Sequence, residues 1–152
     1  NITAEGNITL NAMSSGSSQA AHVEIRGANN ILSSNNGNIT ISHNMSGSNS
    51  GSNAIFLNGT TASNVMLNAT NGSITIEGKA HNGNGTVITN TNLRANSAVI
   101  NGSTNASMYA LNLTNLNLSG NLASWSNITL SSAGSAGGAS NAINAGVIKT
   151  EE

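Results

Sequence analysis

Residues 36–41 read NGNITI and residues 71–76 read NGSITI, and this near-identity decides how the chain is read. The same apolar triplet returns as ITL at 8–10 and 128–130, so copies begin at Ile8, Ile39, Ile74 and Ile128. The last interval spans nearly two of the shorter ones, and Ala98, Val99 and Ile100 stand where the intervening copy belongs. Five copies at a spacing of roughly thirty residues follow, a period typical of stacked repeats.

Between copies, two further short apolar segments recur in constant order. The second position holds VEI at 23–25, AIFL at 54–57, TVIT at 86–89 and YALNL at 109–113. The third holds ILS at 31–33, VML at 65–67, NLR at 92–94 and LNL at 116–118, and a worn fifth round follows at 142–144 and 146–149. Each segment is short, β-branched or aliphatic, and bounded by Asn, Gly and Ser, which describes a strand between tight turns. A single repeat of this kind cannot bury its own apolar residues. Stacked repeats bring equivalent strands together in parallel about 4.8 Å apart, where each satisfies the backbone of the next.

The predicted fold is therefore all-β, a right-handed parallel β-helix (solenoid) of about five coils with three short strands each, forming one segment over residues 1–152. Ile8 and Leu10 should point inward and stack on Ile39 and Ile41, Ile74 and Ile76, and Ile128 and Leu130, with Thr9, Thr40, Thr75 and Thr129 as an outward ladder. Asn and Gly in the turns tolerate positive φ, and Asn side chains can bond in columns from coil to coil. The chain has no Pro, as expected where nearly every strand residue donates to a neighbour. After each first strand comes a polar excursion, at 11–22, 42–53, 77–85, 101–107 and 131–141, and all five should line one edge of the rod. The start at Asn1 without Met, and ends without an amphipathic cap, suggest a segment excised from a longer protein.

Composition excludes several function classes. The chain holds no Cys and no Asp, which removes disulfides, thiolate zinc sites, Asp-based calcium loops and the usual carboxylate partner of a Ser-His pair. Four Lys and Arg against five Glu leave a net charge of −1, too little basic character for a nucleic-acid footprint, so no nucleic-acid partner is expected. No apolar run reaches the length of a membrane-spanning helix. His22, His43 and His81 lack metal-site spacing and read as solvated loop histidines, so neither a metal nor another cofactor is expected. Glu24 and Glu77 are the only candidates for a glycosidase-type carboxylate pair, and they fall on different faces in different coils. Arg26, Lys79, Arg94 and Lys149 are scattered. Phe56, Tyr109 and Trp125 read as packing plugs or end covers rather than sugar platforms. No catalytic residue is assigned, and the chain reads as non-enzymatic.

The NITL and NGSITIEG strings, the abundance of Asn, Ser, Gly and Thr, the lack of Cys and the scarcity of aromatics resemble the exoproteins of bacterial two-partner secretion. The texture is most similar to filamentous haemagglutinins and high-molecular-weight adhesins, best over residues 1–130, and autotransporter passengers share it. The resemblance implies an interior piece of a secreted, cell-surface virulence factor. It implies export through an outer-membrane transporter barrel and attachment to a host cell-surface receptor or glycan. Some members of the group also carry hexoses on Asn in N-x-S/T, which would involve an Asn-glycosyltransferase. This chain has thirteen such sequons, where its composition yields about seven by chance. The candidate acceptors are Asn44, Asn58, Asn68, Asn71, Asn84, Asn101 and Asn105, with Asn44, Asn58, Asn84 and Asn101 favoured because they fall in turns and excursions. A purely structural stalk, as in contact-dependent toxins, is the alternative role, and a β-helical glycan-cleaving enzyme is a weaker one.

Overall fold

The computed structural model describes residues 1–14, 22–45, 53–105, 108–123, 127–134, 143–145 and 148–150. The chain is all-β. Its strands are β1 (Ile2–Ala4), β2 (Ile8–Ser14), β3 (Val23–Arg26), β4 (Ile31–Ser34), β5 (Ile39–Met45), β6 (Ile55–Asn58), β7 (Val65–Ala80), β8 (Thr86–Thr104), β9 (Leu111–Ser119), β10 (Ile128–Gly134), β11 (Ile143–Ala145) and β12 (Ile148–Thr150), with one 3-10 turn at Gly120–Ala123. All twelve belong to one sheet and every pairing is parallel. The hydrogen-bonded path β1-β4-β7-β8-β6-β3 is open, with the other strands attached along it.

Register arranges the strands in three columns. In the first, Ile8 pairs with Ile39, Ile39 with Ile74, Ile74 with Ala98 and Ala98 with Ile128, and the row two residues on runs Leu10, Ile41, Ile76, Ile100, Leu130. The outward row between them is Thr9, Thr40, Thr75, Val99, Thr129. The second column runs Val23, Ile55, Thr86, Leu111, Ile143. The third runs Ile2, Leu32, Leu67, Leu93, Leu118, Thr150. The inner residues of all three columns meet in one core, where Ile39, Ile41, Ile55, Leu57, Leu67, Ile74, Ile76, Ile88, Leu93 and Ile100 are fully buried. Each such side chain contributes about 1.5–3 kcal/mol relative to exposure, so a chain poor in apolar residues still builds a core by placing them in register.

Two features depart from the sequence reading. Residues 2–4 (ITA) form β1, an additional row of the third column below Leu32. The predicted segments of three to five residues also fuse: β7 runs for 16 residues and β8 for 19, each passing from one column to the next as one continuous strand. At the junctions the inside-outside alternation slips by one residue. In β8, Thr86 and Ile88 are buried, then Thr91 and Leu93, and the slip falls at Asn90 with φ of 47°. In β9 the equivalent slip lies at Asn115, φ 51°, between Leu113 and Leu116. In β7 it is the register shift between Ala69 and Ser73. A shift of one residue would ordinarily turn a strand's apolar set outward, so each slip resets the pleat as the chain enters the next column. Asn is suited to the left-handed conformation there because its short polar side chain tolerates it.

Asn side chains also tie the rows together. Asn115 Nδ2 donates to Asn90 Oδ1 at 2.8 Å, Asn117 Nδ2 to Asn92 Oδ1 at 2.9 Å, and Asn84 Nδ2 to Asn53 Oδ1 at 2.8 Å. At the entry to the first column, the N–H of Asn38 donates to Asn7 Oδ1 at 2.8 Å and that of Ser73 to Asn38 Oδ1 at 2.9 Å. The first and second columns approach closely at a glycine seam. A Cβ on Gly102 would lie 1.8 Å from the carbonyl oxygen of Ala110, and one on Gly78 2.4 Å from that of Gly85. By contrast, a Cβ on Gly6 meets nothing within 4 Å. Gly102→Ala should therefore lower unfolding stability by at least about 2 kcal/mol, because backbone must move to admit the methyl, whereas Gly6→Ala should stay within about 0.5 kcal/mol of the parent. Urea denaturation of the two variants checks this, and equal losses would contradict the seam.

Candidate functional site

The residues that follow each inner triplet of the first column were predicted to leave the sheet as polar excursions. They remain in it. Asn11, Ser42, Glu77, Asn101 and Ser131 form one continuous row, and Met13, Asn44, Lys79, Ser103 and Ala133 another. Parallel pairing carries the ladder on, since the polar side chains alternate outward while Ile41, His43, Gly78, Ala80 and Gly102 face in. Residues 81–85 of the third excursion do leave the strands between β7 and β8, and the parts at 15–21, 46–52, 106–107 and 135–141 lie outside the described residues, as does Trp125.

Two hollows that adjoin at Glu77 open along these two rows and together form a groove. A hollow of about 440 Å³ is lined by Glu77, Asn101, Ser103, Ser131, Ser132 and Ala133 with Gly78 and Gly102. A second, of about 170 Å³, is lined by Asn11, Ser42, His43, Asn44, Glu77 and Lys79. Glu77 borders both. Hydrogen bonding within its row leaves it unengaged: Ser42 Oγ donates to Asn11 Oδ1 at 3.2 Å, and Ser131 Oγ donates to Asn101 Oδ1. Among the described residues the exposed carboxylate of Glu77 has no hydrogen-bond or ion-pair partner, and neither has the exposed ammonium of Lys79 two residues on. The groove thus offers a free acceptor, a free cation, amides and hydroxyls at the strand spacing. Such a set suits a polyhydroxylated ligand, which needs both donors and acceptors.

The other predicted positions scatter. Glu24 is on β3 in the second column, where Oε2 lies 3.2 Å from His22 Nε2 and Oε1 3.1 Å from Arg26 Nε. Glu77 is therefore the only carboxylate among the described residues lining the groove. His22 is exposed, as predicted, and His81 is half-buried with Nδ1 3.0 Å from Asn82 Oδ1. His43 corrects the reading. Rather than a solvated loop histidine it is an inward residue of β5, 1% exposed, with neither ring nitrogen partnered among the described residues. It continues the inward series of Ile39 and Ile41, which the polar letter of the residue concealed. Phe56 is half-buried, whereas Tyr109 is exposed and is no packing plug.

The candidate glycan acceptors also separate. Asn44 and Asn101 sit on strands β5 and β8 rather than in loops, Asn44 exposed and Asn101 engaged with Ser131. Asn58 ends β6, half-buried. Asn68 and Asn71 lie in β7, where Asn68 Nδ2 donates to Ser33 Oγ at 3.3 Å and Asn71 Nδ2 to the carbonyl of Asn35 at 2.9 Å. Asn84 donates to Asn53 and accepts from the N–H of Tyr109 at 2.9 Å, so both ends of its amide are used. Asn105 is exposed in a bend, its N–H donating to the carbonyl of His81. Among these, Asn44, Asn71 and Asn105 are exposed, and Asn71 is held by Asn35 and Asn36.

No family model matches the chain, and no curated protein or solved structure matches it.

The imidazole of His43 makes a further expectation concrete. A buried donor and acceptor without partners cost about 1–3 kcal/mol of desolvation, so His43→Leu, similar in volume, should raise stability by about 1 kcal/mol. A higher urea midpoint at unchanged slope would show it; a lower midpoint would mean that the ring nitrogens find partners in solution.

Proposed function

We propose that the chain is a right-handed parallel β-helical segment of a secreted, surface-exposed bacterial adhesin of the two-partner-secretion type, and that its attachment surface is the groove along the first column. The winding is supported by three parallel columns traversed in fixed order and by the one-residue slips that reset the pleat between them. The recognition role is carried by one observation: Glu77 and Lys79 stand unpaired in the middle of a polar groove whose neighbouring side chains are already bonded to one another. Unpaired charges of opposite sign in a hollow suit a neutral, hydroxyl-rich glycan on a host cell, where many weak contacts add along a repeating surface. The role is non-enzymatic on this reading, because the usual glycosidase chemistry needs a second carboxylate across the scissile bond. Export through a partner barrel and residence at the bacterial surface follow from the same assignment.

Hexose modification belongs to the same reading and would act first at Asn44 and Asn105. Intact mass of protein from its native host should show increments of whole hexose units, which Asn44→Gln and Asn105→Gln should reduce.

Glycan-array binding tests the groove. Glu77→Gln should weaken binding to any glycan the parent retains by about tenfold, the loss of one charge-assisted hydrogen bond, and Lys79→Met should weaken it similarly. Glu24→Gln should leave it unchanged. Equal binding by all variants, or no retained glycan, would favour a stalk without a recognition surface.

A further inference from the structure

The two hollows that meet at Glu77 cross five strand rows of the first column. The smaller is lined from the rows of Asn11, Ser42 and Glu77, and the larger from those of Glu77, Asn101 and Ser131. Rows of a parallel sheet lie about 4.8 Å apart, so the groove extends about 19 Å across these five, at right angles to the strands. Its two walls are outward positions two residues apart on each strand, a separation of about 6.6 Å. Between the walls lies backbone, because the intervening His43, Gly78 and Gly102 are buried. Such a trough has room for sugar rings in single file and none for two abreast.

Its chemistry changes along its length. The charged pair, Glu77 and Lys79, stands on the third of the five rows. On either side the walls carry amides and hydroxyls, which both donate and accept, at Asn11, Ser42, Asn44, Asn101, Ser103 and Ser131. The two outer rows add the apolar Ala133 and Met13, the latter 74% exposed. No aromatic residue lines either hollow, so a lone ring has no stacking platform and each sugar gains only a few polar contacts. A ligand anchored at Glu77 and Lys79 has further partners in both directions across the strands. One that stops at the anchor leaves most of the rows unused.

An extended chain of equatorially linked pyranoses advances with each sugar by nearly the spacing of the rows, so its consecutive units meet equivalent positions and their weak contacts add. Bent and branched glycans do not keep to that course. Given that the groove is a glycan site, as proposed above, we infer that it holds the interior of a linear, uncharged β-1,4-linked polysaccharide, laid across the strands with about one sugar to a row.

Titration calorimetry of the chain with β-1,4-linked oligomers of N-acetylglucosamine and of glucose, from one to five units, tests this. Affinity for at least one series should rise by about tenfold or more from two units to five, the gain of about one net hydrogen bond. Asn11→Ala and Ser131→Ala, at exposed positions two rows from the charged pair, should weaken the pentamer more than the dimer, whereas Glu77→Gln should weaken both. Circular dichroism confirms that the variants keep their β structure. An affinity that does not grow with length, while Glu77→Gln still weakens binding, overturns the linear ligand and leaves the groove a glycan site. Pentamer binding untouched by both outer substitutions overturns the course across the strands. Absence of binding by either series also overturns the proposal, and the glycan array then decides whether the groove falls with it.

Discussion

The structure depends on one constraint: almost every strand residue must find its backbone partners in the rows above and below, in parallel and in register. A parallel ladder cannot be closed locally by a two-residue hairpin, since parallel neighbours need a longer connection. The constraint accounts for rows of one column lying roughly thirty residues apart and for the absence of proline, which lacks the donor. It also explains why the same triplet recurs at Ile8, Ile39, Ile74 and Ile128. Side chains in one column share one inner environment, and the residue that fills it well in one row fills it well in the next.

Such an arrangement uses few apolar residues efficiently. Isoleucine and leucine occupy inner positions, and the outer positions fall to Asn, Ser and Thr, whose side chains bond to their counterparts one row away. Asn90 with Asn115 and Asn92 with Asn117 are examples in which an amide both tolerates the local backbone and supports its neighbour. Polarity at the surface is largely satisfied within the protein. The groove beside Glu77 is the exception, because pairing of Ser42 with Asn11 and of Ser131 with Asn101 leaves the middle of the row to solvent.

Much of this was legible in the residues. The NGNITI and NGSITI repeats located the first column, and the position of Ala98 to Ile100 as the intermediate copy is what the register shows. The second and third segments likewise fall in their columns. Four features were not legible. The strands continue through Asn90 and the Ala69–Ser73 shift, where Asn and Gly letters looked like strand ends. Residues 42–44 and 77–79 stay in the sheet because neighbours on both sides hold them, which composition does not record. His43 reads as polar and exposed unless its parity with Ile39 and Ile41 is counted. For the candidate site, Glu77 was visible only as half of a poor carboxylate pair, since its freedom follows from bonds between residues about thirty positions away on either side.

The glycines of the ladder also bear on chemical ageing. The chain contains six Asn-Gly bonds, at 36–37, 58–59, 71–72, 82–83, 84–85 and 101–102, the sequence most prone to cyclise into a succinimide as the glycine nitrogen attacks the asparagine side chain. That attack needs a mobile peptide and an unengaged nitrogen. Here the N–H of Gly59 donates to the carbonyl of Thr89, that of Gly85 to Tyr109 and that of Gly37 to Ser34 Oγ, while Gly102 lies within a strand paired on both sides. A fold built from residues that ordinarily deamidate thereby holds four of its six weakest bonds in conformations that resist the reaction, a form of durability that owes nothing to cross-links.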